Sequence, residues 1–446
     1  MVHMGSSLET GQGTDANPRW NLATRIGFRF AFIYLALYTL TFPAGGFIPY
    51  TDFLAEWSFR VWAAIVPWVS SHLLNLSHPV QLTPSGSSDQ LCDWVQLLCI
   101  FILSIIGTIV WSCFDRKREN YAQLHKWFRL WIRFALASTM IRYGATKAIP
   151  NQMKMSFYRL LEPFGNATPP GMLWAFMGAS KGYEIFTGCV EIISGILLII
   201  PWTASLGAFV AVAAMVQVFT LDMFFSVPAK ILSFHAMLLA AFLIAPYIPR
   251  LIRMLVLNRK TEPFVTSPLF HKKWLNWTTI VLQVALGLYL VFFNLDFNLT
   301  IYKLYGGGAP KPPLYGIWQV DEFKLDGETH PLLLTDSVRW RRVMFENPND
   351  IVLQRMDDKL LDFSLQLDTQ KKTMTLGKRN DENWKAQLNF DHPASNRLVL
   401  QGEFDGHQIQ AQLTQNDPSQ IPLINGHFHW IQERSTNDEL FKYSSQ

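Results

Sequence analysis

The strongest constraint on this chain is a set of long uncharged apolar runs with ionisable residues set among them. Residues 30–51, 94–113, 192–221, 231–249 and 274–295 contain no Asp, Glu, Lys or Arg. A helix that crosses a bilayer needs about 20 apolar residues, and in lipid its backbone must be hydrogen-bonded internally. The chain therefore reads as a helical membrane protein. Lys147, Glu184, Glu191, Asp222, Lys230 and His235 lie inside or at the ends of such segments. A charge at bilayer depth is costly, so it faces a bundle interior and pairs, or lines a polar cavity.

Composition agrees with that reading. Half of the 446 residues are hydrophobic and 16% are charged, against about 25% charged in soluble proteins. The formal net charge is +4, and the basic residues cluster in loops beside the runs. They report topology and do not suggest a nucleic-acid partner. Cys92, Cys99, Cys113 and Cys189 form no C-x-x-C and no Cys/His zinc spacing, so neither a metal site nor a redox pair is indicated. Cys92 and Cys99 are expected on one helix face as small apolar fillers.

Seven spans are predicted, over 26–48, 92–113, 127–147, 182–200, 203–222, 230–249 and 275–295, with Pro201-Trp202-Thr203 breaking the longest run into two helices. Arg19, Arg25 and Arg29 precede the first span. Arg116, Lys117, Arg118, Lys126 and Arg129 separate the second from the third, and Arg250, Arg253, Arg259, Lys260, Lys272 and Lys273 the sixth from the seventh. The positive-inside rule then places the N-terminus in the cytoplasm and everything after about residue 296 outside it. Residues 1–18 read as a disordered tail, with no secretory signal before a retained first helix. The transmembrane domain covers 19–298, residues 299–313 form a Gly/Pro linker, and 314–446 form a separate domain. In the loop 49–91, residues 61–76 with Pro67 suggest an interfacial or re-entrant helix, and Asp89 is placed to cap the second span. The loop 148–181 is long enough to expect order, as in a lid.

The C-terminal domain reads as strands. Runs at 317–323, 339–345, 350–356, 361–367, 372–376, 384–390, 397–403 and 407–413 alternate with turns such as Asp326-Gly327 and Asp405-Gly406. Short strands at regular spacing predict an all-β barrel or sandwich. Gly316-Ile317-Trp318 is similar to the G-x-W opening of lipocalin-like barrels. An open calyx and a filled small barrel are both compatible with it.

The charged helices carry the functional signal. Tyr143 and Lys147 share a face of the third span. Glu184, Gly188, Glu191 and Gly195 form one stripe of the fourth, where glycines allow close helix approach. A carboxylate buried there must pair or take up a proton, and Lys147, Arg142 and Lys230 are the available partners. Asp222, Lys230, Ser233 and His235 follow at the junction of spans five and six, where Pro228 fits a first turn. One shared polar site is one reading of this set; a charge network that only pins helices together is the other.

The fragments Tyr143-Gly144-x-x-Lys147-x-x-Pro150-x-Gln152, Phe186-x-Gly188-x-x-Glu191-x-x-x-Gly195 and Val227-Pro228-x-Lys230 resemble the DoxX-like family of small membrane proteins over about residues 127–250. The resemblance implies a four-helix membrane core, and in some members a link to quinone-coupled sulfur oxidation or redox-stress complexes. It thus implies a quinone- or small-apolar-ligand-binding subunit of a membrane redox complex. Lys147 and Lys230 would bond a quinone oxygen, Glu191 or Glu184 would exchange protons, His235 would relay them, and Tyr143, Gln152 and Asp222 would line the site. The sequence has no haem, flavin or iron–sulfur motif, so any enzyme role is that of an accessory subunit. The competing expectation is a non-enzymatic scaffold or assembly protein whose β domain binds a partner or lipid. A transporter ranks third, since no inverted repeat is evident.

Overall fold

The computed structural model describes residues 19–42, 52–78, 80–83, 89–262, 268–425 and 430–431. The predicted tail 1–18, the end of the first span past residue 42, most of the turn at 84–88 and the residues after 431 lie outside the described residues. The chain forms two compact units, Met1–Ile149 with Ile185–Thr300, and Pro150–Glu184 with Ile301–Gln446.

The first unit is helical. Its helices are α1 (Leu22–Thr41), α2 (Asp52–His72), α3 (Leu91–Phe114) and α4 (Ala122–Ala148). After α5 (Phe157–Leu161) and α6 (Pro169–Ala179) of the second unit come α7 (Lys181–Ile199), which crosses the boundary, α8 (Ala204–Phe224), α9 (Lys230–Ile244), α10 (Ile248–Leu251) and α11 (Lys273–Leu304). Among the described residues, five segments are long and apolar enough to cross a membrane: Leu91–Phe114, Lys181–Ile199, Ala204–Phe224, Lys230–Val256 and Lys273–Leu304. The other two expected spans are helices as well, but α1 carries Arg25 and Arg29, and α4 carries Arg129, Arg133, Arg142 and Lys147. Those charges keep α1 and α4 below the apolar threshold. The break at Pro201-Trp202-Thr203 is a tight turn, closed by the Thr203 hydroxyl on the Leu197 carbonyl at 2.8 Å.

The helical core joins Ile132, Leu136 and Ile141 of α4 to Leu198 of α7, Ala208 and Ala211 of α8, Leu239, Ala240 and Leu243 of α9, and Leu290 of α11. Cys92 and Cys99 are both buried in a satellite cluster where α3 meets Trp62, Val66 and Val69 of α2. The α4–α7 crossing is the tightest approach. A Cβ at Gly144 would sit 2.7 Å from the Gly188 carbonyl oxygen and 2.8 Å from the Ile192 nitrogen. A Cβ at Gly195 would lie 2.6 Å from Ile141. Only hydrogen fits at these positions, the usual means of close helix approach in membranes.

The second unit is a closed barrel. Strand β1 (Gly316–Leu325) pairs with β3 (Trp340–Phe345) on one side and β9 (His407–Asn416) on the other, and short β2 (Glu328–Thr329) flanks β1. The circuit runs through β4 (Asp350–Arg355), β5 (Leu360–Asp368), β6 (Thr373–Lys378), β7 (Asp381–Ala394) and β8 (Arg397–Phe404), all antiparallel. Asp326-Gly327 and Asp405-Gly406 both take positive φ at each residue, 51° and 88°, then 52° and 81°. That is the primed turn geometry that matches strand twist.

One contiguous cluster, including Trp318, Phe323, Trp340, Phe363, Met374 and Phe404, fills the barrel interior. Trp318 of the G-x-W opening donates its indole N–H to the Leu314 carbonyl at 2.9 Å. These contacts describe the filled small barrel, one of the two forms compatible with the sequence. Outside the barrel, Phe157 of α5 packs on Ile317 and Met344, and the Glu346 carboxylate accepts from the Phe157 N–H at 3.0 Å. The sequence assigns residues 150–184 to the helical domain; they cluster instead with the barrel.

Two outcomes follow. Gly188→Leu should lower the folded yield and thermal midpoint of the detergent-solubilised protein, with a cost above the ~1–3 kcal/mol of ordinary overpacking, because backbone on α4 blocks the side chain. A midpoint equal to that of the parent chain would contradict the crossing. In the barrel, Asp326 is held below the ordinary 3.8 by the hydrogen bond from His407 and by the Gln408 backbone N–H, and Asp368 by the Lys371 and Gln370 N–H groups. A depressed carboxylate stabilises the fold above its unfolded pKa and loses that contribution as pH falls through its folded value. Barrel stability should therefore decline from about pH 4 downward, and Asp326→Asn should flatten part of that decline in hydrogen exchange at β1 and β9.

Candidate functional site

The α4–α7 crossing sets two opposite charges side by side. Lys147 Nζ donates to Glu191 Oε1 at 2.6 Å, and their side chains are 10% and 3% exposed. The pair stands one helical turn beyond Gly144 on α4 and just beyond Gly188 on α7, so the absent Cβ atoms are what let the side chains meet. Glu191 Oε2 is buried with no hydrogen-bond partner. Arg142, the second partner considered for Glu191, is exposed.

Asp222, at the end of α8, is 4% exposed. Its charge acts on Lys147, Lys230 and Asp89, and Ser233 hydrogen-bonds to it. Its Oδ2 atom is buried without a partner. Lys230, the third candidate partner for Glu191, is taken by Asp89 at 3.2 Å and by the Val227 carbonyl at 2.8 Å.

Asp89 differs from expectation. It caps α9 instead of α3. Its carboxylate accepts from the Lys230 N–H at 2.9 Å and from the Ile231 N–H at 3.0 Å, satisfying donors that have no partner within their own helix. Gln90 takes the N-cap of α3, in a capping box closed by Asp93. Because α9 starts at Lys230 after the N-cap Ala229, Pro228 precedes the helix and is not in its first turn.

His235 forms an aromatic wall. Its Nε2 lies 2.7 Å from the Tyr34 hydroxyl and its Nδ1 2.6 Å from the Ile231 carbonyl. A carbonyl only accepts, so Nδ1 carries the hydrogen and Nε2 accepts from the Tyr34 O–H. Tyr38 stacks on the imidazole with centroids 3.9 Å apart and planes 12° apart. Tyr143 is an electrostatic neighbour of Tyr38, which links the α4 face to this wall. Both His235 nitrogens are thus engaged, and a relay through His235 would need Tyr34 to move.

Glu184 and Gln152 belong to the second unit, where they order the 150–184 segment. Glu184 accepts from the Met153 N–H at 3.0 Å, and the Gln152 carbonyl accepts from the Trp174 indole at 3.1 Å. Of the sequence candidates, Lys147, Glu191, Asp222 and Lys230 share one electrostatic cluster, and Tyr143 and His235 both neighbour Tyr38. Asp89, Tyr34 and Tyr38 are not among the site residues that the sequence suggests. Asp89 could have been found as an acid next to a turn; the tyrosines had no local signal.

The cluster of Lys147, Lys230, Glu191, Asp222 and Asp89 holds one more carboxylate than ammonium group. One proton or one donor from a ligand would balance it. Among the described residues no group of His, Cys, Asp and Glu is arranged to hold a metal ion.

Comparison with known proteins adds a relative without a function. No family model matches the chain, and no solved structure matches it. The chain is similar to "Uncharacterized protein YwoB" of Bacillus subtilis (strain 168), 30% identical over 121 residues, which are 25% of this chain and 71% of that protein.

Breaking the ion pair from one side should cost more than removing it. Lys147→Met leaves Glu191 as an uncompensated buried charge and should destabilise by about 3–5 kcal/mol. Adding Glu191→Leu should restore most of the loss. A double-mutant cycle on thermal or denaturant midpoints measures the coupling; additive effects would contradict a direct pair.

Proposed function

Since the chain belongs to the family of YwoB, whose name carries no activity, we propose a function from the buried cluster itself: a DoxX-like membrane subunit that binds a quinone-type ligand and exchanges a proton with it. The observation that carries the reading is the Lys147–Glu191 pair beside Asp222, with one oxygen of each carboxylate buried and unpartnered. A quinone carbonyl is a hydrogen-bond acceptor that Lys147 can serve. A hydroquinone is a donor that Glu191 or Asp222 can accept from. The extra carboxylate gives the proton a place to reside. Electrons would come from another subunit, since the sequence carries no haem, flavin or iron–sulfur motif.

The same reading takes α1 and α4 as spans in addition to the five strongly apolar ones. Two of their charges meet partners inside the bundle: Arg29 donates to Tyr121, Ser112 and the Asp115 carbonyl, and Lys147 pairs with Glu191. With seven spans the basic loops share the cytoplasmic side of a bacterial inner membrane, and the barrel is periplasmic.

A second reading, a non-enzymatic scaffold, draws on the barrel. Leu332, Leu333 and Leu334, in the β2–β3 connection, are all exposed, and a run of exposed leucines suits docking to a partner or lipid.

The deciding experiment is mass spectrometry with ultraviolet–visible spectroscopy on gently purified full-length protein. The expected outcome is a co-purified quinone, lost in Lys147→Ala and reduced in Glu191→Gln while the latter stays folded. A ligand-free preparation that does not take up added ubiquinone or menaquinone would overturn the quinone reading and favour the scaffold.

A further inference from the structure

The other half of α4 presents the opposite imbalance. Arg129 and Arg133 are four residues apart and share a helix face. They stand about 20–27 Å along the helix from Lys147. Arg133 feels the charge of Arg129. Arg133 Nη2 donates to the Ile199 carbonyl at 3.2 Å and to Gln283 of α11, and Arg129 lies over the Tyr247 ring, 5.7 Å from its centroid. All of these partners are neutral. Arg129 Nη1 and Arg133 Nε are buried with no hydrogen-bond partner. Among the described residues no carboxylate forms an ion pair with either arginine, although fifteen other Arg or Lys side chains do find one.

Two half-buried like charges, each with a buried guanidinium nitrogen left unpartnered and no counter-ion, carry an uncompensated desolvation cost. That cost persists only where something supplies the missing anion. A guanidinium fork matches phosphate oxygens two at a time. Basic pockets between membrane helices on the cytoplasmic side take anionic headgroups. Depth is consistent with that source: Trp127 on α4 and Trp274 and Trp277 on α11 are exposed, and tryptophans of this kind mark headgroup level.

We propose that Arg129 and Arg133, with Gln283 and Tyr247 beside them, form a binding site for a phosphate group carrying net negative charge. The group belongs either to an anionic lipid headgroup or to free phosphate. This inference is independent of the quinone site, since it uses no residue of the Lys147 cluster.

The test titrates delipidated, full-length protein in detergent with phosphatidylglycerol, phosphatidylcholine or inorganic phosphate while following the melting temperature. A saturable rise of several degrees with phosphatidylglycerol, absent with phosphatidylcholine, is expected. A rise with inorganic phosphate as well would identify the free ion as a sufficient ligand; a rise with the lipid alone would identify the headgroup. The double variant Arg129→Met/Arg133→Met should lose the response while keeping or raising the ligand-free melting temperature, because removing unpaired buried charge is neutral or stabilising. If that variant does not fold, Arg129→Lys/Arg133→Lys keeps the charge without the fork and should raise the half-saturating concentration by about tenfold. No response in the parent chain, an equal response to phosphatidylcholine, a response retained in the Met variant, or unchanged half-saturation in the Lys variant would each overturn the site.

Discussion

The close approach of α4 and α7 is the interaction on which the rest of the bundle depends. Gly144 and Gly188 let the two backbones come within contact distance, and Gly195 extends the seam against Ile141. At that separation Lys147 reaches Glu191 directly. The order of cause matters. A buried ammonium and carboxylate gain little net stability over an apolar pair, because both must be stripped of water. What the ion pair adds is specificity. Rotating α7 by one residue would carry Glu191 away from Lys147 and leave two isolated charges, so the pair penalises every register except the one the glycines permit.

Asp89 extends the same logic to a helix end. The first N–H groups of α9 have no acceptors within the helix. Asp89 supplies the acceptor across a long sequence separation, and it binds the Lys230 side chain as well. One carboxylate thereby closes a helix terminus and neutralises a lysine. Glu191 is matched by Lys147 and Asp89 by Lys230, which leaves Asp222 as the carboxylate without a lysine of its own. It is held by Ser233 and by two shared positive charges at longer range. A site of this kind has a structural part and a chemically available part, and Asp222 with the second oxygen of Glu191 is the available part.

Local patterns in the sequence carried most of the architecture. Uncharged runs marked the strongly apolar helices, the Glu184–Gly188–Glu191–Gly195 spacing marked the α7 seam, and Asp-Gly pairs marked barrel turns that the structure builds with two positive φ values. Three things were not legible, each because it depends on distant residues. Tyr34 and Tyr38 look like ordinary aromatic residues of an apolar helix until His235 is placed beside them. Asp89 sits one residue before the α3 N-cap Gln90, where a local cap is the natural reading; only the tertiary fold brings α9 to it. Ile317 and Met344 break the alternation expected of outward strand positions because Phe157, far away in sequence, covers them. The strict stripe on α7 also misled in part, since Glu184 shares a face with Glu191 yet bonds to the Met153 backbone in the second unit.

The two ends of α4 obey one rule and reach opposite results. Burial penalises net charge of either sign, so each buried cluster must be brought near neutrality by whatever it can recruit. At the Lys147 end the surplus is negative, and a carboxylate can correct that itself by accepting a proton. At the Arg129 and Arg133 end the surplus is positive, and a guanidinium has no such option because it does not deprotonate under ordinary conditions. Its only remedy is an anion from outside the chain. The difference in side-chain chemistry therefore assigns the two ends different roles. The carboxylate-rich end is where the proposed function places proton exchange. The arginine end is fixed in charge, which suits a permanent anchor to a phosphate group and not a step in a reaction.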